Sequence, residues 1–452
     1  MDGVRVFHDV GLGNGSYLVD VGDGRAVVID PDRRVRRYLD AARDAELDIV
    51  AVLDTHLHAD FVSGSLDVRD RTGAELHEPA EAGVGFPHRP VKPGERVEIG
   101  RAEFDVLATP GHAPEHVSYA LRRDGAGPAL FSGGALIVGG AARTDLAGSE
   151  LTAHLTRHEY ETLHRAFADL PDETELLPTH GGGSFCSTGG AGGELTSMLG
   201  AERQTNPLLP MTEEDFVTSW PKTFPRTPTH FARMREINWA GPRLRRDIEL
   251  PRPLAPKAFA AAASEHDAIV LDTRSPGDYA EAHGQGALAI PFRDAFPTWL
   301  GWLVPADARL LLVVGDASLE DVVDACLLVG FERFAGFLDG GIDAWRDAGL
   351  PLRSLAAIGA EDTVPWLQGG AKPLDVREPD EVERGTIAGA TAIPLGDLPQ
   401  RTADVPDGRP ILVYCASGMR STTAASLLER DGIAPVVNLR GGYGAWREAG
   451  RD

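Results

Sequence analysis

The chain has 452 residues, 42% of them hydrophobic and 25% charged, which is typical of a folded globular protein too long for a single core. Its formal net charge of −24 argues against binding to nucleic acid or to an anionic membrane surface. Because it has no apolar run of bilayer-spanning length, no basic and apolar leader and only three cysteines, we expect a cytoplasmic protein of several domains, with homo-oligomerisation left open.

The first half of the chain alternates between short apolar runs and turns rich in Gly and Asp. The runs with the pattern of β-strands are SYLVDVG, RAVVIDP, IVAVLDTH, EFDVLATPGH, SYALR, PALFSGGAL and TELLPTH. Helices are predicted between them at Val35–Glu46 and Ser149–Leu170. Since several strands end on a His, an Asp or a Gly-rich loop, the pattern predicts a layered α/β sandwich with a site along one edge.

Histidine-bearing loops follow three strands of this predicted sandwich. The first loop, DTHLHADF, places His56, His58 and Asp60 at alternate positions. It resembles the His-x-His-x-Asp loop of the metallo-β-lactamase superfamily, and TPGHAPEH and LLPTHGGG resemble the later loops, which here carry His112 and His180. The resemblance implies an αββα sandwich. It also implies the metal ligands, which are His56, His58, Asp60, His112 and His180.

Two positions depart from the pattern of this superfamily. Phe61 stands where its two-metal members have a histidine, so a ligand of the second ion is missing. ALFSGGALIVGGAARTDL resembles the segment of persulfide dioxygenases that supplies a carboxylate to iron, but Gly134 occupies the aspartate position. That family holds one Fe(II) with two histidines and a carboxylate. His56 and His112 match the histidines, so we expect at most one metal ion.

The sequence leaves the identity of this metal open. Without the carboxylate, Fe(II) would be held weakly or not at all, because metal affinity depends on ligand number and geometry. His58 could turn inward to give a three-histidine site, which would also suit Zn(II). Asp60 and His180 are the other residues that could complete the site.

Two further stretches favour sulfur chemistry. ARTDL (Ala142–Leu146) resembles the Gly-Arg-Thr-Asp stretch of persulfide dioxygenases, and ERQTNPLL (Glu202–Leu209) resembles their C-terminal extension. The resemblance implies that Arg143 binds substrate. The alternative is a surface ion pair between Arg143 and Asp145. Cys186 is left undecided, with a structural role favoured.

The second half of the chain repeats itself. LDTRSPGDYAEAHGQGALAIPF, from Leu271, matches LDVREPDEVERGTIAGATAIPL, from Leu374, and FLDGGIDAWRDAG matches NLRGGYGAWREAG. The repeat indicates two tandem α/β domains, preceded by a proline-rich linker. The sequence therefore predicts three domains, at residues 1–245, 253–352 and 356–452.

The last repeat has a cysteine at the end of a predicted strand, in ILVYCASGMRSTTAASLLERDG. Backbone N–H groups converge where a strand turns into a helix, and the helix N-terminus carries partial positive charge. Both favour a thiolate at Cys415, with Arg420 nearby, so we predict that Cys415 is a nucleophile or a sulfur carrier. The alternative is a buried cysteine that packs as a small apolar group.

The loop from Cys415 to Arg420 resembles the six-residue persulfide loop of rhodaneses. LDVREP and GGYGAW resemble that family's flanking motifs. The resemblance implies that Cys415 carries a persulfide and passes its outer sulfur to a thiophilic acceptor. It implies that the rest of the loop binds the substrate, through Ala416, Ser417, Gly418, Met419 and Arg420.

The middle repeat resembles a rhodanese without this chemistry. Its matching stretch, LLLVVGDASLEDVVDAC, is expected to have Gly315 at the cysteine position. Asp316, Glu320 and Asp321 make the loop acidic, which would oppose an anionic thiolate. We expect this domain to serve in packing or docking, and Cys326 to be a buried core residue.

Three functions agree with these motifs. The first is a persulfide dioxygenase–sulfurtransferase fusion acting on low-molecular-weight thiol persulfides, with thiosulfate or sulfite as the other sulfur compound. The second is a sulfurtransferase whose first domain has lost catalysis, and Gly134 favours this reading. The third is a hydrolase that cleaves a thioester with a single metal ion.

Overall fold

The computed structural model describes residues 3–123, 125–187, 194–407, 410–433 and 435–450. The chain divides into two units, Met1–Ile248 with Cys326–Gly330, and Glu249–Ala325 with Phe331–Asp452. The first unit holds the histidine loops and the second holds both repeats. Within the described part of the chain, no helix has the length and hydropathy needed to cross a bilayer.

The first unit is built on two six-stranded sheets. The strands of the first sheet are β1 (Val4–Asp9), β2 (Asn14–Gly22), β3 (Arg25–Ile29), β4 (Asp48–Leu53), β5 (Glu75–Pro79) and β6 (Arg89–Val91). The strands of the second sheet are β7 (Arg96–Ile99), β8 (Ala102–Ala108), β9 (Val117–Arg123), β10 (Ala129–Gly133), β11 (Glu175–Pro178) and β12 (Ser197–Met198). Neighbours in each sheet are also neighbours in the chain, in the orders β1 to β6 and β7 to β12.

Helices cover the outer face of each sheet. The α-helices of the described part of this unit are α1 (Arg36–Asp44), α2 (Ser65–Thr72), α3 (Thr152–Arg165), α4 (Leu199–Thr205), α5 (Glu213–Ser219) and α6 (Phe231–Ala240). Short 3₁₀ helices lie at Ala80–Ala82, Trp220–Thr223 and Arg245–Asp247. Both predicted helices form, α1 slightly shorter than predicted and α3 shorter by about a third, because it begins at Thr152 and ends at Arg165.

The core of this unit has three apolar layers. Tyr38 and Ala41, three positions apart on α1, share one face of the helix and pack against Val28 of the first sheet. The apolar layer between the two sheets is formed by Tyr17, Val19, Val27, Ile29, Leu53, Phe104, Val106, Tyr119 and Phe131. On the far side, Leu163 of α3 packs in a third cluster with residues of β10 and β11. The predicted αββα sandwich is confirmed.

Strand direction places the histidine loops at one edge. In the second sheet β9 is antiparallel to both β8 and β10, and β10 is parallel to β11, so β8, β10 and β11 all run the same way. Their C-terminal ends therefore lie at a common edge, and His112, Gly134 and His180 follow them. In the first sheet β4 is parallel to β3 and leads into His56 and His58.

The second unit contains two five-stranded parallel sheets and one two-stranded antiparallel sheet. Its strands are β13 (Pro253–Leu254), β14 (Ala268–Asp272), β15 (His283–Gly284), β16 (Leu288–Ala289), β17 (Arg309–Val313), β18 (Phe334–Leu338), β19 (Leu352–Arg353), β20 (Ala356–Ile358), β21 (Lys372–Asp375), β22 (Thr391–Ala392), β23 (Ile411–Tyr414) and β24 (Val436–Leu439). Its α-helices are α7 (Pro256–Ala263), α8 (Pro276–Glu281), α9 (Phe296–Leu303), α10 (Leu319–Leu328), α11 (Gly341–Asp347), α12 (Ala360–Gln368), α13 (Pro379–Glu383), α14 (Met419–Arg430) and α15 (Gly442–Glu448). Further 3₁₀ helices lie at Leu395–Gln400 and Thr402–Asp404.

The internal repeat appears as a repeat of topology. The two large sheets have the orders β13-β18-β17-β14-β16 and β20-β24-β23-β21-β22, so each strand of one has a counterpart at the same place in the other. Each central strand leads through a loop into a helix, β17 into α10 and β23 into α14. The second of these loops carries Cys415, and Cys326 is buried in α10 as predicted.

Candidate metal and thiol sites

Histidine rings from three loops of the first unit lie together in its interior. The ring centroids of His56, His112 and His180 are between 4.8 and 5.3 Å apart, and all three side chains are buried. The loops follow β4, β8 and β11, so the fold gathers side chains that are far apart in sequence. We call these three residues the histidine cluster.

Hydrogen bonds determine which nitrogen of each ring faces the cluster. The hydroxyl of Thr55 donates to a buried carboxylate, so its oxygen accepts the Nδ1–H of His56 at 2.8 Å. The amide NH₂ of Asn14 likewise donates to a carboxylate, which leaves its carbonyl oxygen to accept the Nδ1–H of His180 at 3.2 Å. A neutral ring that donates from Nδ1 has an unprotonated Nε2. His56 and His180 therefore present lone pairs.

His112 has the same orientation. Its Nδ1 lies 2.6 Å from the backbone carbonyl oxygen of Arg143, which can only accept a hydrogen bond. Burial and the nearby histidines hold the pKa of His56 well below its usual range. Burial is the main cause that lowers the pKa of His112 to about 3, so the rings of His56 and His112 are neutral at pH 7.

The cluster fits a cation. The Nε2 atoms of His56 and His180 lie 3.3 Å apart. Two lone pairs at this distance repel each other unless a proton or a metal ion lies between them. Neutral imidazoles whose other nitrogen is held by a hydrogen bond are the common ligands of transition metals. The donor set is therefore suited to one transition-metal ion.

The other two predicted ligands lie beside the cluster. His58 has a ring nitrogen within 4.8 Å of ligand atoms of His56 and His180, but its Nε2 is also 3.5 Å from Asp30 Oδ1. Burial opposes a charge on His58, yet the hydrogen bond and charge of Asp30 raise its pKa above the usual value. Asp60 Oδ2 lies 3.5 Å from Nδ1 of His180, behind the ring, where it orients that histidine.

The two departures from the superfamily pattern are visible at the cluster. A Cβ added at Gly134 would lie 2.6 Å from Cδ2 of His112, so this position faces the cluster without supplying a ligand. The ring of Phe61 is buried and stacks on His58 with centroids 4.3 Å apart. Nε2 of His116 does not face a metal, because it accepts the N–H of Gly134 at 2.9 Å.

Arg143 has a positioning role instead of the predicted contact with substrate. Its guanidinium is buried and forms two hydrogen bonds with Asp145, at 2.6 and 2.7 Å. The remaining donors bond to Phe185 O, Pro225 O and the hydroxyl of Thr227. Every donor of the guanidinium is engaged by the protein, and the ion pair with Asp145 forms with a buried arginine instead of at the surface. What Arg143 offers the site is its carbonyl, which orients His112.

Cys186 belongs to the same region. Ligand atoms of His112, His180 and Cys186 all lie within 4.8 Å of one another, and the cysteine is buried. The signal for this in the sequence is weak and consists of the short spacing between His180 and Cys186 in THGGGSFC.

In the second unit, Cys415 lies on the loop between β23 and α14. The thiol is buried, and its Sγ accepts the backbone N–H of Gly418 at 3.2 Å and the hydroxyl of Ser421 at 3.6 Å. Gly418 adopts φ +91 directly before the first residue of α14, which turns its N–H back toward the sulfur. Ala416 and Ser417 are exposed at the tip of the loop.

The N-terminus of α15 supports the loop from behind. The N–H of Tyr443 donates to the carbonyl oxygen of Cys415 at 2.7 Å, and the N–H of Gly444 donates to that of Ala416 at 3.0 Å. These bonds turn the loop carbonyls away from the sulfur, so that N–H groups face it. GGYGAW thus supports the thiol from a distant part of the sequence.

Arg420 forms an ion pair with Glu381, a carboxylate that the sequence pattern does not single out. Its guanidinium forms two hydrogen bonds with Glu381, at 2.6 and 2.7 Å. The middle domain supplies a second cation, because Arg293 lies close enough for its charge to interact with Cys415 and Arg420. Burial is the main cause of the lowered pKa of Arg293.

Strand register corrects one detail of the middle repeat. Asp375 pairs with Tyr414, which precedes Cys415, and Asp272 pairs in the same way with Val313. The counterpart of the cysteine is therefore Val314, one residue before the predicted Gly315. The mismatch arises because the loop after β17 is longer than the loop after β23. Neither residue carries a thiol.

Family models match both halves of the chain. The model of the metallo-beta-lactamase superfamily matches residues 10–181, and the rhodanese-like domain matches residues 255–348 and 363–449. A crystal structure of a metallo-beta-lactamase from Staphylococcus aureus subsp. aureus COL is 30% identical, with a TM-score of 0.64. The match covers 74% of this chain and 98% of that one.

Curated relatives match each half separately. A hydroxyacylglutathione hydrolase of Methylobacillus flagellatus is 30% identical, over 47% of this chain and 90% of the relative. A sulfurtransferase of Allochromatium vinosum is 39% identical, over 17% of this chain and 72% of the relative. The chain spans only 60% and 62% of the length of two other curated relatives.

Proposed function

Because the chain belongs to the metallo-β-lactamase superfamily and continues into two rhodanese-like domains, we propose that it is a sulfur-metabolising enzyme that moves sulfane sulfur of low-molecular-weight persulfides through Cys415. The first unit would act on the same sulfur compounds with one metal ion. Thiosulfate or sulfite would be the other sulfur compound. The single observation that carries the proposal is the amide and hydroxyl cradle around Cys415 Sγ.

The transfer would proceed in two displacements. The thiolate of Cys415 attacks the outer sulfur of thiosulfate or of a persulfide, the S–S bond breaks, and sulfite or a thiolate leaves with the electron pair. An acceptor nucleophile then attacks the terminal sulfur of the Cys415 persulfide, and the Cys415 thiolate leaves. The N–H of Gly418 and the hydroxyl of Ser421 would stabilise the Cys415 thiolate that attacks in the first step and leaves in the second.

Positive charge near the loop would attract the anionic substrate. Arg420 and Arg293 both interact electrostatically with Cys415. Glu381 holds Arg420 in position, and its negative charge offsets part of the positive potential of the guanidinium. Arg293 comes from the middle repeat, and this would give a domain that lacks the loop cysteine a part in binding substrate.

The metal ion of the first unit would be held by His56, His112 and His180. When bound, Fe(II) would supply oxygen chemistry toward a persulfide, and Zn(II) would supply Lewis acidity. The histidine cluster orients its Nε2 atoms toward the ion, and Arg143 and Asn14 keep the rings in place.

The test of the sulfur-transfer proposal is formation of thiocyanate from thiosulfate and cyanide by the full-length protein. Turnover is expected, and thiosulfate alone should leave a persulfide on Cys415, detectable as an added mass of one sulfur atom. Absence of both signals from folded protein would overturn the proposal.

A second candidate for the first unit is hydrolysis of a thioester. It is favoured by the hydroxyacylglutathione hydrolase relative, while Gly134 counts against the iron alternative because it removes the carboxylate that a two-histidine iron site requires. The two candidate reactions can be distinguished by what each consumes or releases. Oxygen uptake with a persulfide by iron-loaded protein supports the first, and thiol release from an acylated thiol by zinc-loaded protein supports the second.

Gly134→Asp is expected to raise the iron content of protein produced in iron-rich medium. The new carboxylate would face His112, although the ring must shift because a Cβ there would lie 2.6 Å from it. Gly134→Ala is the matched control, because it displaces the ring of His112 without adding a ligand. This variant should have a lower metal content than the wild type. Iron per chain, measured by elemental analysis, checks this. Equal iron in all three proteins would contradict a vacated ligand position.

A further inference from the structure

Cys186 lies beside two histidines of the cluster, His112 and His180. Ligand atoms of His112, His180 and Cys186 all lie within 4.8 Å of one another, and all three side chains are buried. The hydrogen bonds of His112 and His180 fix Nδ1 as the donor, so Nε2 is the coordinating atom in each. Imidazole nitrogen and thiolate sulfur are both common ligands of zinc in proteins.

The backbone holds these ligands in place before any metal binds. Arg143 connects two of them, because its carbonyl oxygen accepts from His112 at 2.6 Å and its N–H donates to the carbonyl oxygen of Cys186 at 2.8 Å. The N–H of Cys186 donates to the hydroxyl of Ser184 at 3.1 Å. Ligands that are positioned in advance bind with little cost of reorganisation.

Charge gives a second reason for a sulfur ligand. At Gly134 the site lacks the carboxylate that would neutralise part of the charge of a divalent ion. Since Asp60 lies behind the ring of His180, neutral imidazoles alone would give the two positive charges of the ion no anionic ligand in this buried region, which is unfavourable. A thiolate at Cys186 removes one of these charges. Its proton passes to solvent when the metal binds.

We propose that Cys186 is a metal ligand that, with His112 and His180, holds one Zn(II). The inference rests on the single metal ion of the proposed function and adds Cys186 to the histidine cluster that would hold it. A thiolate is a soft ligand and favours Zn(II) over Fe(II) among ions bound by histidine. The lost carboxylate of this superfamily's iron enzymes is thereby replaced by a sulfur from the loop after β11.

The experiment is a Co(II) titration of full-length protein that has been freed of metal with a chelator. Co(II) replaces Zn(II) in such sites, and a bound thiolate gives an intense sulfur-to-cobalt charge-transfer band in the near ultraviolet. The band should saturate at one Co(II) per chain. It should disappear in Cys186→Ser and Cys186→Ala, and it should persist in Cys326→Ala, the matched control for loss of a buried cysteine, and in Cys415→Ser.

The affinity for Zn(II) gives an independent measurement. Both Cys186 variants should weaken it by more than the ~10- to 100-fold that loss of an outer hydrogen-bond partner costs. Circular dichroism of the metal-free variants establishes that they fold. If Co(II) binds the wild type without the charge-transfer band, Cys186 is not a ligand, although the metal centre of the proposed function stands. If no Co(II) binds, both the metal centre and this inference fail, while sulfur transfer at Cys415 is unaffected.

Discussion

Cys415→Ser is expected to lower thiocyanate formation from thiosulfate and cyanide by at least ~10³-fold, the scale of losing a nucleophile. A serine hydroxyl is scarcely ionised at neutral pH and cannot carry a second sulfur. The substitution keeps the size of the side chain and its neighbours Gly418 and Ser421, so the fold should be unchanged. Steady-state rates and the mass of the thiosulfate-treated protein measure both consequences.

Cys326→Ala is the control for that experiment. Cys326 is buried in α10, which is far in the sequence from the loop that carries Cys415. Its removal should therefore leave the rate close to that of the wild type. Retention of thiocyanate formation by Cys415→Ser, with the control unchanged, would place the sulfur carrier elsewhere and remove the basis of the proposed transfer.

Gly442→Ala is expected to lower the efficiency of sulfur transfer by about 100-fold, which is the cost of displacing reacting groups by roughly 1 Å. A Cβ at Gly442 would overlap the carbonyl oxygen of Cys415 and lie 2.7 Å from the carbonyl carbon of Ala416. The loop can relieve this only by moving, and the movement would take the N–H of Gly418 out of line with the sulfur.

Gly432→Ala separates this effect from the general cost of the substitution. Both glycines have positive φ, +59 at Gly442 and +77 at Gly432, so alanine at either site loses about 1–2 kcal/mol of stability. Nothing lies within 4 Å of a Cβ at Gly432. Thermal unfolding should therefore shift downward in both variants, whereas kcat/KM should fall only in Gly442→Ala. Equal kcat/KM in the two variants would show that the packing of α15 against the loop has no part in catalysis.

Local sequence predicted the elements that carry the site. The strand from Ile411 to Tyr414, the loop with Cys415 and the following helix were all evident, because their order follows from local propensity and hydrophobic pattern. The loop carrying His56 and His58 was evident for the same reason. What could not be predicted is how loops from different strands meet, since that depends on sheet order and strand direction.

Two residues illustrate this limit. Arg143 was assigned to substrate from a short motif, but a buried network with Asp145 and distant carbonyls engages every donor of its guanidinium. In the middle repeat, the register of β17 against β14 makes Val314, and not the predicted Gly315, the counterpart of Cys415. Loop length differs between the repeats, and only the pairing of strands reveals where the extra residue lies.

The sequence by itself determined a layered α/β sandwich and the repeated α/β domains, because each rests on patterns within a few tens of residues. Its resemblance to known families implied the αββα arrangement and the cysteine that would carry sulfur. Tertiary structure decided which nitrogen each histidine presents, since Thr55, Asn14 and Arg143 come from other loops. It also brought Cys186 to His112. Metal ligands must meet within a few ångströms, and only the packing of the sheets fixes distances between residues so far apart in the chain.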